Sequence, residues 1–325
     1  MHGLHCPARA GHGGVAGYTR LMSTAALSPA SPGPTSSGLS LPTSTIAFIG
    51  GGNMASALIG GLVRAGHPPG RILVIDPGET QRSALQASFG VRTLASADAV
   101  LADSANRSSP ADLALSAADL VVWAVKPQLF AEAAGPCAAQ VAGALHLSVM
   151  AGIRCSTIAR ATGAAAIVRS MPNTPALIGR GIAGLFATAA VSAAQRALVE
   201  QVLAPTGQLV WVDVEADLDA VTALSGSGPA YVFYVIEAMV AAATEMGLSA
   251  AQGRQLALAT LDGATALAAQ SDESPAVLRE RVTSKGGTTH AALQSLAAAG
   301  VGPALVAAIR AAQARAAELG DEFAG

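Results

Sequence analysis

The chain has little charge, few aromatic side chains and almost no cysteine, and each shortage removes a class of function. Asp, Glu, Lys and Arg make up 12% of the 325 residues and leave a formal net charge of −2, while Phe, Trp and Tyr make up 3%. Binding a phosphate backbone needs a basic face, often interleaved with aromatics that stack on bases, and the sequence holds no such patch. Nucleic acid is therefore a poor partner, and a small-molecule ligand is favoured. The three cysteines, Cys6, Cys137 and Cys155, follow neither a metal-ligand spacing nor the even count of a disulfide framework. They point to a reducing, cytoplasmic setting. The six histidines are equally scattered, so no metal is expected.

Long uninterrupted apolar runs are missing too. The most membrane-like stretch, "AYVFYVIEAMVAAATEMG" at 230–247, carries Glu237 and Glu245, and a carboxylate in mid-span costs about 2.5–3.5 kcal/mol. It reads as a helix enclosed by protein, and no membrane association is expected. Acidic residues are absent from the first 44 positions, which hold Arg9 and Arg20 and end in "SPASPGPTSSGLSLPTST". This leader, 1–44, reads as a disordered extension, or as the result of an early start site with initiation near Met22.

What the chain has in quantity is hydrophobic residues, at 51%. Its length exceeds the roughly 250–300 residues at which one core stops growing, so two domains are expected: 45–213 and 214–325.

The first opens with "TIAFIGGGNMASALIGGLVRAG", an apolar β-branched run, a glycine turn, then apolar residues at helical spacing that stop at Gly66. Within it Gly50, Gly52 and Ala55 form G-x-G-x-x-A. The first glycine allows a tight turn, the second lets backbone approach a pyrophosphate, and the small third residue lets the helix pack on the strand. The helix start offers unpaired N–H groups to the phosphates. The motif alone is weak in a glycine-rich chain. A second strand, "RILVID", strengthens it by ending in Asp76, 21 residues beyond Ala55, where a ribose-binding acid belongs. Asp76 would accept from a 2′-hydroxyl and repel a 2′-phosphate, whereas Arg82, one helical turn on, would neutralise a phosphate. NADH and NADPH both remain open.

Further apolar runs, "DLVVWAVK" (119–126), "ALHLSVMA" (144–151) and "AAIVRSM" (165–171), alternate with Ala-rich helical segments. This is the pattern of an α/β, Rossmann-type doubly wound parallel sheet covered on both faces. Ligand then lies beyond the carboxyl ends of the strands, near "AVKPQ" (124–128), "MAGI" (150–153) and "MPNTP" (171–175). The polar segment 95–116 reads as a helix interrupted by a loop insertion.

From about 214 the strand signals stop. "SGSG" is expected to break a short helix, with Ser227 opening the next and Pro229 in its first turn. Ser249 and Gln252 have capping-box spacing. Further helices are expected over 275–283, up to Gly300, and over 303–319. Helices apolar on nearly all sides must be surrounded by protein, so this all-α domain is expected to interleave with a second copy.

One polar stretch interrupts it, "VTSKGGTTHAAL" (282–293). Gly286, Gly287, Thr288 and Thr289 are expected to form the first turn of a helix and aim N–H groups at an anion, although a plain capped turn fits the pattern equally. The chain has only two lysines, Lys126 and Lys285, and both fall in these loops.

Taken together and in order, "IAFIGGGNMASALIGGL", "VVWAVKPQ", "VMAGI", "IVRSMPNTPALIGRGI", "DAVTALSGSGPAYVF" and "VTSKGGTTHAAL" strongly resemble the pyrroline-5-carboxylate reductase family over roughly residues 45–320. The resemblance implies a Rossmann domain, a helical dimerisation domain, and homodimers that often assemble into decamers. It implies hydride transfer from NADPH or NADH to the C=N bond of 1-pyrroline-5-carboxylate, giving L-proline. The family's cofactor turn falls on Gly50, Gly52, Asn53, Met54 and Ala55, its nicotinamide-side loop on Ala124, Val125, Lys126 and Pro127, and a pocket-shaping residue on Asn173. Its substrate loop falls on Ser284, Gly286, Gly287, Thr288 and Thr289, and Thr289 matches the threonine whose hydroxyl bonds the imine nitrogen. The chain reads "SKGGTT" where the family often has "SPGGTT". Two rival readings remain at this point: another imine or 2-hydroxyacid reductase, and a non-catalytic dinucleotide-binding regulatory dimer.

Overall fold

The structure, a computed structural model, describes residues 43–97 and 115–323; most of the leader, and most of the segment 95–116 expected to hold a loop insertion, lie outside the described residues. Eight strands form one sheet: β1 (Ile46–Ile49), β2 (Ile72–Ile75), β3 (Arg92–Leu94), β4 (Leu120–Trp123), β5 (Leu145–Ser148), β6 (Ile167–Pro172), β7 (Gly181–Ala187) and β8 (Gly207–Trp211). Their order is β3-β2-β1-β4-β5-β6-β7-β8. The chain winds outward from β1 in one direction and restarts at β4 in the other. Strand order therefore reverses between β1 and β4, which leaves a crevice at their carboxyl ends.

Strand residues alternate between the two faces, and both faces are covered. Ile46, Phe48, Ile72, Val74, Leu120 and Val122 pack under helix α1 (Asn53–Arg64) and helix α2 (Glu79–Phe89). Ala47, Ile49, Leu73, Val121 and Trp123 point the other way. They meet α3 (Phe130–Ala134), α4 (Ala138–Val141) and α5 (Cys155–Thr162) through Phe130, Val141 and Ile158. Because neither face meets water, the strands read as continuous apolar runs. Leu58, fully buried on α1, is one side chain holding that layer, and truncating it to Ala would cost about 2–5 kcal/mol.

The runs expected to form parallel strands, β1, β2, β4, β5 and β6, do so, and the sheet continues beyond them with two strands the sequence did not announce. β7 runs antiparallel to β6, with Val168 opposite Ala187 and Pro172 opposite Ala183, and β8 then pairs parallel to β7. An antiparallel neighbour needs no crossover helix, so a single 3-10 turn (Thr174–Ile178) connects β6 to β7. β7 reads "GIAGLFA", too glycine-rich to announce a strand. Helix α6 (Ala193–Leu203) crosses to β8.

After β8 the chain is helical: α7 (Asp217–Val221), α8 (Gly228–Glu245), α9 (Ala250–Ala269), α10 (Pro275–Arg281), α11 (Thr288–Ala298) and α12 (Val301–Glu322). "SGSG" (225–228) marks the break between the short helix α7 and α8, as expected. Residues Thr222–Gly226 form a π-helical turn in which the Ser227 N–H donates to the Thr222 carbonyl at 2.8 Å. Ser227 opens α8 with Pro229 in its first turn, as expected, although its side chain makes no capping hydrogen bond. Ser249 and Gln252 do form a reciprocal capping box at the start of α9. Among the described residues no single helix is long and apolar enough to cross a membrane.

Within one chain the faces of α8, α9 and α12 are left open. Phe233 is 59% exposed, Tyr234 74% and Leu267 69%. Such side chains stabilise a protein only when water is removed from them, at about 1.5–3 kcal/mol each for full burial. A monomer forgoes that stabilisation.

Candidate active site

The crevice between β1 and β4 is built by Gly50. Its φ is +97°, which favours glycine, and a Cβ there would lie 2.6 Å from the Ala124 carbonyl oxygen and 2.9 Å from the Val125 side chain. The turn after β1 and the "AVKP" loop after β4 are thus pressed together, with Ala124 and Val125 half-buried, Lys126 exposed and Pro127 opening a 3-10 turn. Gly52, in contrast, would meet nothing within 4 Å if given a Cβ. The protein does not need glycine there for its own packing, but a pyrophosphate lying against the backbone would. Gly52 is also the residue that starts α1 and has no side chain to cap it, so the N–H groups of Asn53, Met54 and Ala55 are without an acceptor inside the helix. Ala55 is fully buried, which lets α1 sit close on the sheet. These residues fit a dinucleotide.

Asp76 follows β2 directly, and the Ile49 to Ile75 pairing sets it beside the glycine turn. Its Oδ2 accepts the Gly51 N–H at 2.8 Å and its Oδ1 the Gly78 N–H at 2.8 Å. The Arg82 guanidinium donates to the carbonyls of Asp76 and Pro77, both at 2.7 Å, and Gln81 donates to the Gly51 carbonyl.

Asn173, at the end of β6, spends both ends of its amide inside the chain. Nδ2 donates to the Ser225 carbonyl in the π turn at 3.2 Å, and Oδ1 accepts the Ile182 N–H at 3.0 Å. It ties the sheet to the helical region, so any shaping of a pocket is by holding these segments. The Tyr231 hydroxyl likewise bonds the Ala223 carbonyl at 3.1 Å, bracing the same turn.

The substrate-loop residues fall together at the start of α11, but with a different register from that expected. Gly286 and Gly287 stand before the helix and Thr288 begins it. Gly286 turns the chain at φ +75°, and the Gly287 N–H closes the turn on the Ser284 carbonyl at 3.0 Å. Gly287 caps the helix without a side chain, which leaves the N–H groups of Thr288, Thr289 and His290 free of intrahelical acceptors. Ser284, Lys285 and Thr288 are exposed and Thr289 is half-buried. Within the chain α11 packs mainly on α12.

Residues 215–319 match a family model described as pyrroline-5-carboxylate reductase dimerisation, and residues 45–152 match one described as NADP oxidoreductase coenzyme F420-dependent. The pyrroline-5-carboxylate reductase of Pseudomonas aeruginosa is 42% identical over 287 residues, covering 87% of this chain and 99% of that protein. This chain belongs to the pyrroline-5-carboxylate reductase family. The Haemophilus influenzae reductase is also 42% identical, over 251 residues, with 76% of this chain and 87% of that protein covered. Two solved pyrroline-5-carboxylate reductase structures share the fold. That of Coxiella burnetii has a TM-score of 0.76 and 34% identity over 85% of this chain and 98% of its own. That of Plasmodium falciparum, with NADP bound, has a TM-score of 0.74 and 25% identity over 86% and 100%. The dimerisation match covers the helices whose apolar faces stand open, and the reductase is accordingly a homo-oligomer.

The family's helical segment begins at Glu215, and sequence reasoning missed what this residue does. Its Oε1 accepts from Arg169 Nη1 at 2.8 Å and from the Cys155 N–H at the start of α5 at 2.7 Å. Arg154 pairs with Asp321 near the end of α12 at 2.7 Å, so the first and last parts of the helical region both fasten to the loop after β5. A charged residue inside the apolar run "IVRSM" was the one signal that could have flagged Arg169. Burial and the Glu215 charge push the Cys155 thiol up to about 12, so it is not a nucleophile. Burial also raises the Asp219 carboxyl above its usual value, against the opposing pull of Arg169 and Arg154. Among the described residues no group of three or more His, Cys, Asp or Glu could hold a metal ion.

Proposed function

We propose that this chain reduces the C=N bond of 1-pyrroline-5-carboxylate to give L-proline, with NADH or NADPH as donor. Bound, the reduced nicotinamide supplies the hydride. The uncapped helix start at Gly286 to Thr289 carries this reading: an anion-binding turn bearing two hydroxyls, in a chain that also holds an open dinucleotide turn. Ser284, Gly286, Gly287, Thr288 and Thr289 form the turn that holds the substrate carboxylate, through the Ser284 and Thr288 hydroxyls and the helix-start N–H groups of Thr288 and Thr289. The Thr289 hydroxyl donates to the imine nitrogen, where negative charge would otherwise build as hydride reaches the carbon, and so lowers the barrier. Threonine is too weak an acid to be the proton source: water protonates the neutral imine nitrogen, and where the substrate arrives already protonated the Thr289 oxygen accepts its N–H and holds it in place instead. Gly50, Gly52, Asn53, Met54 and Ala55 cradle the pyrophosphate, Asp76 the ribose, and Ala124, Val125, Lys126 and Pro127 flank the nicotinamide. Much of the rate then comes from holding two reactants in register.

The protein divides at 213/214 into a cofactor domain and a helical domain, and works in the cytoplasm. The helical domains of two copies interleave, and dimers assemble into a decamer. Each substrate loop serves the cofactor turn of the other subunit. What supports this is the match of 215–319 to a dimerisation family model, together with the open faces of α8 and α9.

Thr289→Ala is expected to lower turnover of pyrroline-5-carboxylate well below wild type while dinucleotide affinity, measured by titration, stays nearly intact. Unchanged turnover removes Thr289 from the catalytic role, and dinucleotide binding with no turnover by wild type would favour a regulatory dimer. Co-expressing Thr289→Ala with a Gly52→Asp subunit tests the shared site. Random pairing makes half the dimers mixed, each with one intact site, so about a quarter of wild-type activity returns. No recovery means that each loop serves its own subunit.

A further inference from the structure

The proposed reaction leaves the choice between NADH and NADPH open, and the turn around Asp76 bears on it. In-register pairing of β1 and β2 delivers Gly50, Gly51 and Asp76 side by side at the edge of the crevice. Two backbone N–H groups from separate segments, Gly51 and Gly78, each hold one carboxylate oxygen at 2.8 Å. The side chain cannot swing aside without opening the glycine turn itself. A Cβ on Gly78 would lie 3.1 Å from Oδ1 and one on Gly51 3.3 Å from Oδ2, so the two glycines leave the carboxylate just enough room. A carboxylate has about four lone-pair directions and only two are taken, so acceptor capacity remains for a ribose 2′-hydroxyl. A 2′-phosphate would place close to two further negative charges against a carboxylate that is fixed in position.

Arg82 is the opposing influence. Its Nη1 is committed to two carbonyls of the same loop, Asp76 and Pro77. One guanidinium can offset one carboxylate, but with its Nη1 spent on these carbonyls it adds no surplus attraction for a phosphate.

We infer that this chain prefers NADH to NADPH, with Asp76 as the discriminating residue and Arg82 limiting how strict the preference is. This deepens the proposed reductase reading and rests on it. The dissociation constants of NADH and NADPH, followed by nicotinamide fluorescence, and kcat/KM for each with pyrroline-5-carboxylate are the measurements. Wild type is expected to bind NADH about tenfold or more tightly than NADPH, a gap that narrows as salt rises. Asp76→Ser keeps one acceptor for the turn and is expected to shift the ratio about tenfold or more towards NADPH. Arg82→Gln, away from the carboxylate clamp, is expected to weaken NADPH more than NADH. Equal or tighter NADPH binding by wild type overturns the inference even if Asp76→Ser fails to fold. So does a ratio unmoved in a folded Asp76→Ser. Turnover with either cofactor keeps the reductase reading whatever the ratio, whereas binding of neither defeats that reading first.

Discussion

Removing the Glu215 carboxylate should loosen the attachment of the helical region to the sheet. In Glu215→Ala the Arg169 guanidinium, whose side chain is 8% exposed, loses its charge partner, and the Cys155 N–H loses its acceptor at the start of α5. Deleting one member of a fully buried pair costs about 3–5 kcal/mol, most of it from the charge left behind. Glu215 is 26% exposed, so water can reach part of the vacated space, and Asp219 lies near enough to offset some of the charge. The loss works out at about 2–4 kcal/mol. Urea unfolding, followed by the fluorescence of Trp123 and Trp211, reads it at a fixed subunit concentration, since association contributes to the apparent stability. Arg169→Met in the Glu215→Ala background should recover part of the loss, because a neutral side chain in the same space leaves no stranded charge. A loss below about 0.5 kcal/mol, or a double variant less stable than the single one, refutes the reasoning.

Gly50 and Gly52 should separate folding from binding. Gly50→Ala meets the Ala124 carbonyl at positive φ and is expected to cost about 2–4 kcal/mol in denaturant melts, whereas Gly52→Ala, in open space, should leave stability within about 1 kcal/mol and weaken dinucleotide binding at least tenfold. A Gly52→Ala protein with wild-type affinity would contradict the proposed pyrophosphate cradle. His146 should make stability depend on pH. Its Nδ1 accepts from Trp123 Nε1 at 2.9 Å, Nε2 bonds the Val141 carbonyl at 2.9 Å, and burial holds its pKa below 6.5. Below pH 6.5 the unfolded chain takes up a proton that the native one refuses, so stability falls with pH in that window, by at most about 1.4 kcal/mol per pH unit. His146→Asn keeps an acceptor for Trp123 and should flatten that part of the profile; parallel slopes for the two proteins would show that His146 is not the source.

Legibility followed the range of the interaction. Strand, turn and helix at 46–64 could be read because each step depends on neighbours a few residues away: apolar runs, a turn glycine, helical spacing. The Ser249 and Gln252 capping box is equally local. The elements that were missed depend on distant partners. β7 becomes a strand only because β6 supplies its ladder, and Thr222–Gly226 takes a π turn where Asn173, 52 residues before Ser225, holds the Ser225 carbonyl.

The sequence by itself determined the dinucleotide turn, the doubly wound alternation of strands and helices, the helical second half and the motif that turns at Gly286. All of these arise from side-chain size and hydrophobic period along a short segment. Only the tertiary structure decided that Asp76 is locked by Gly51 across 25 residues, and that Glu215 grips Arg169 across 46. It also decided that the helix after Gly287 packs on α12. Those outcomes depend on which surfaces meet after the chain closes on itself, and on which apolar faces remain open for a second copy.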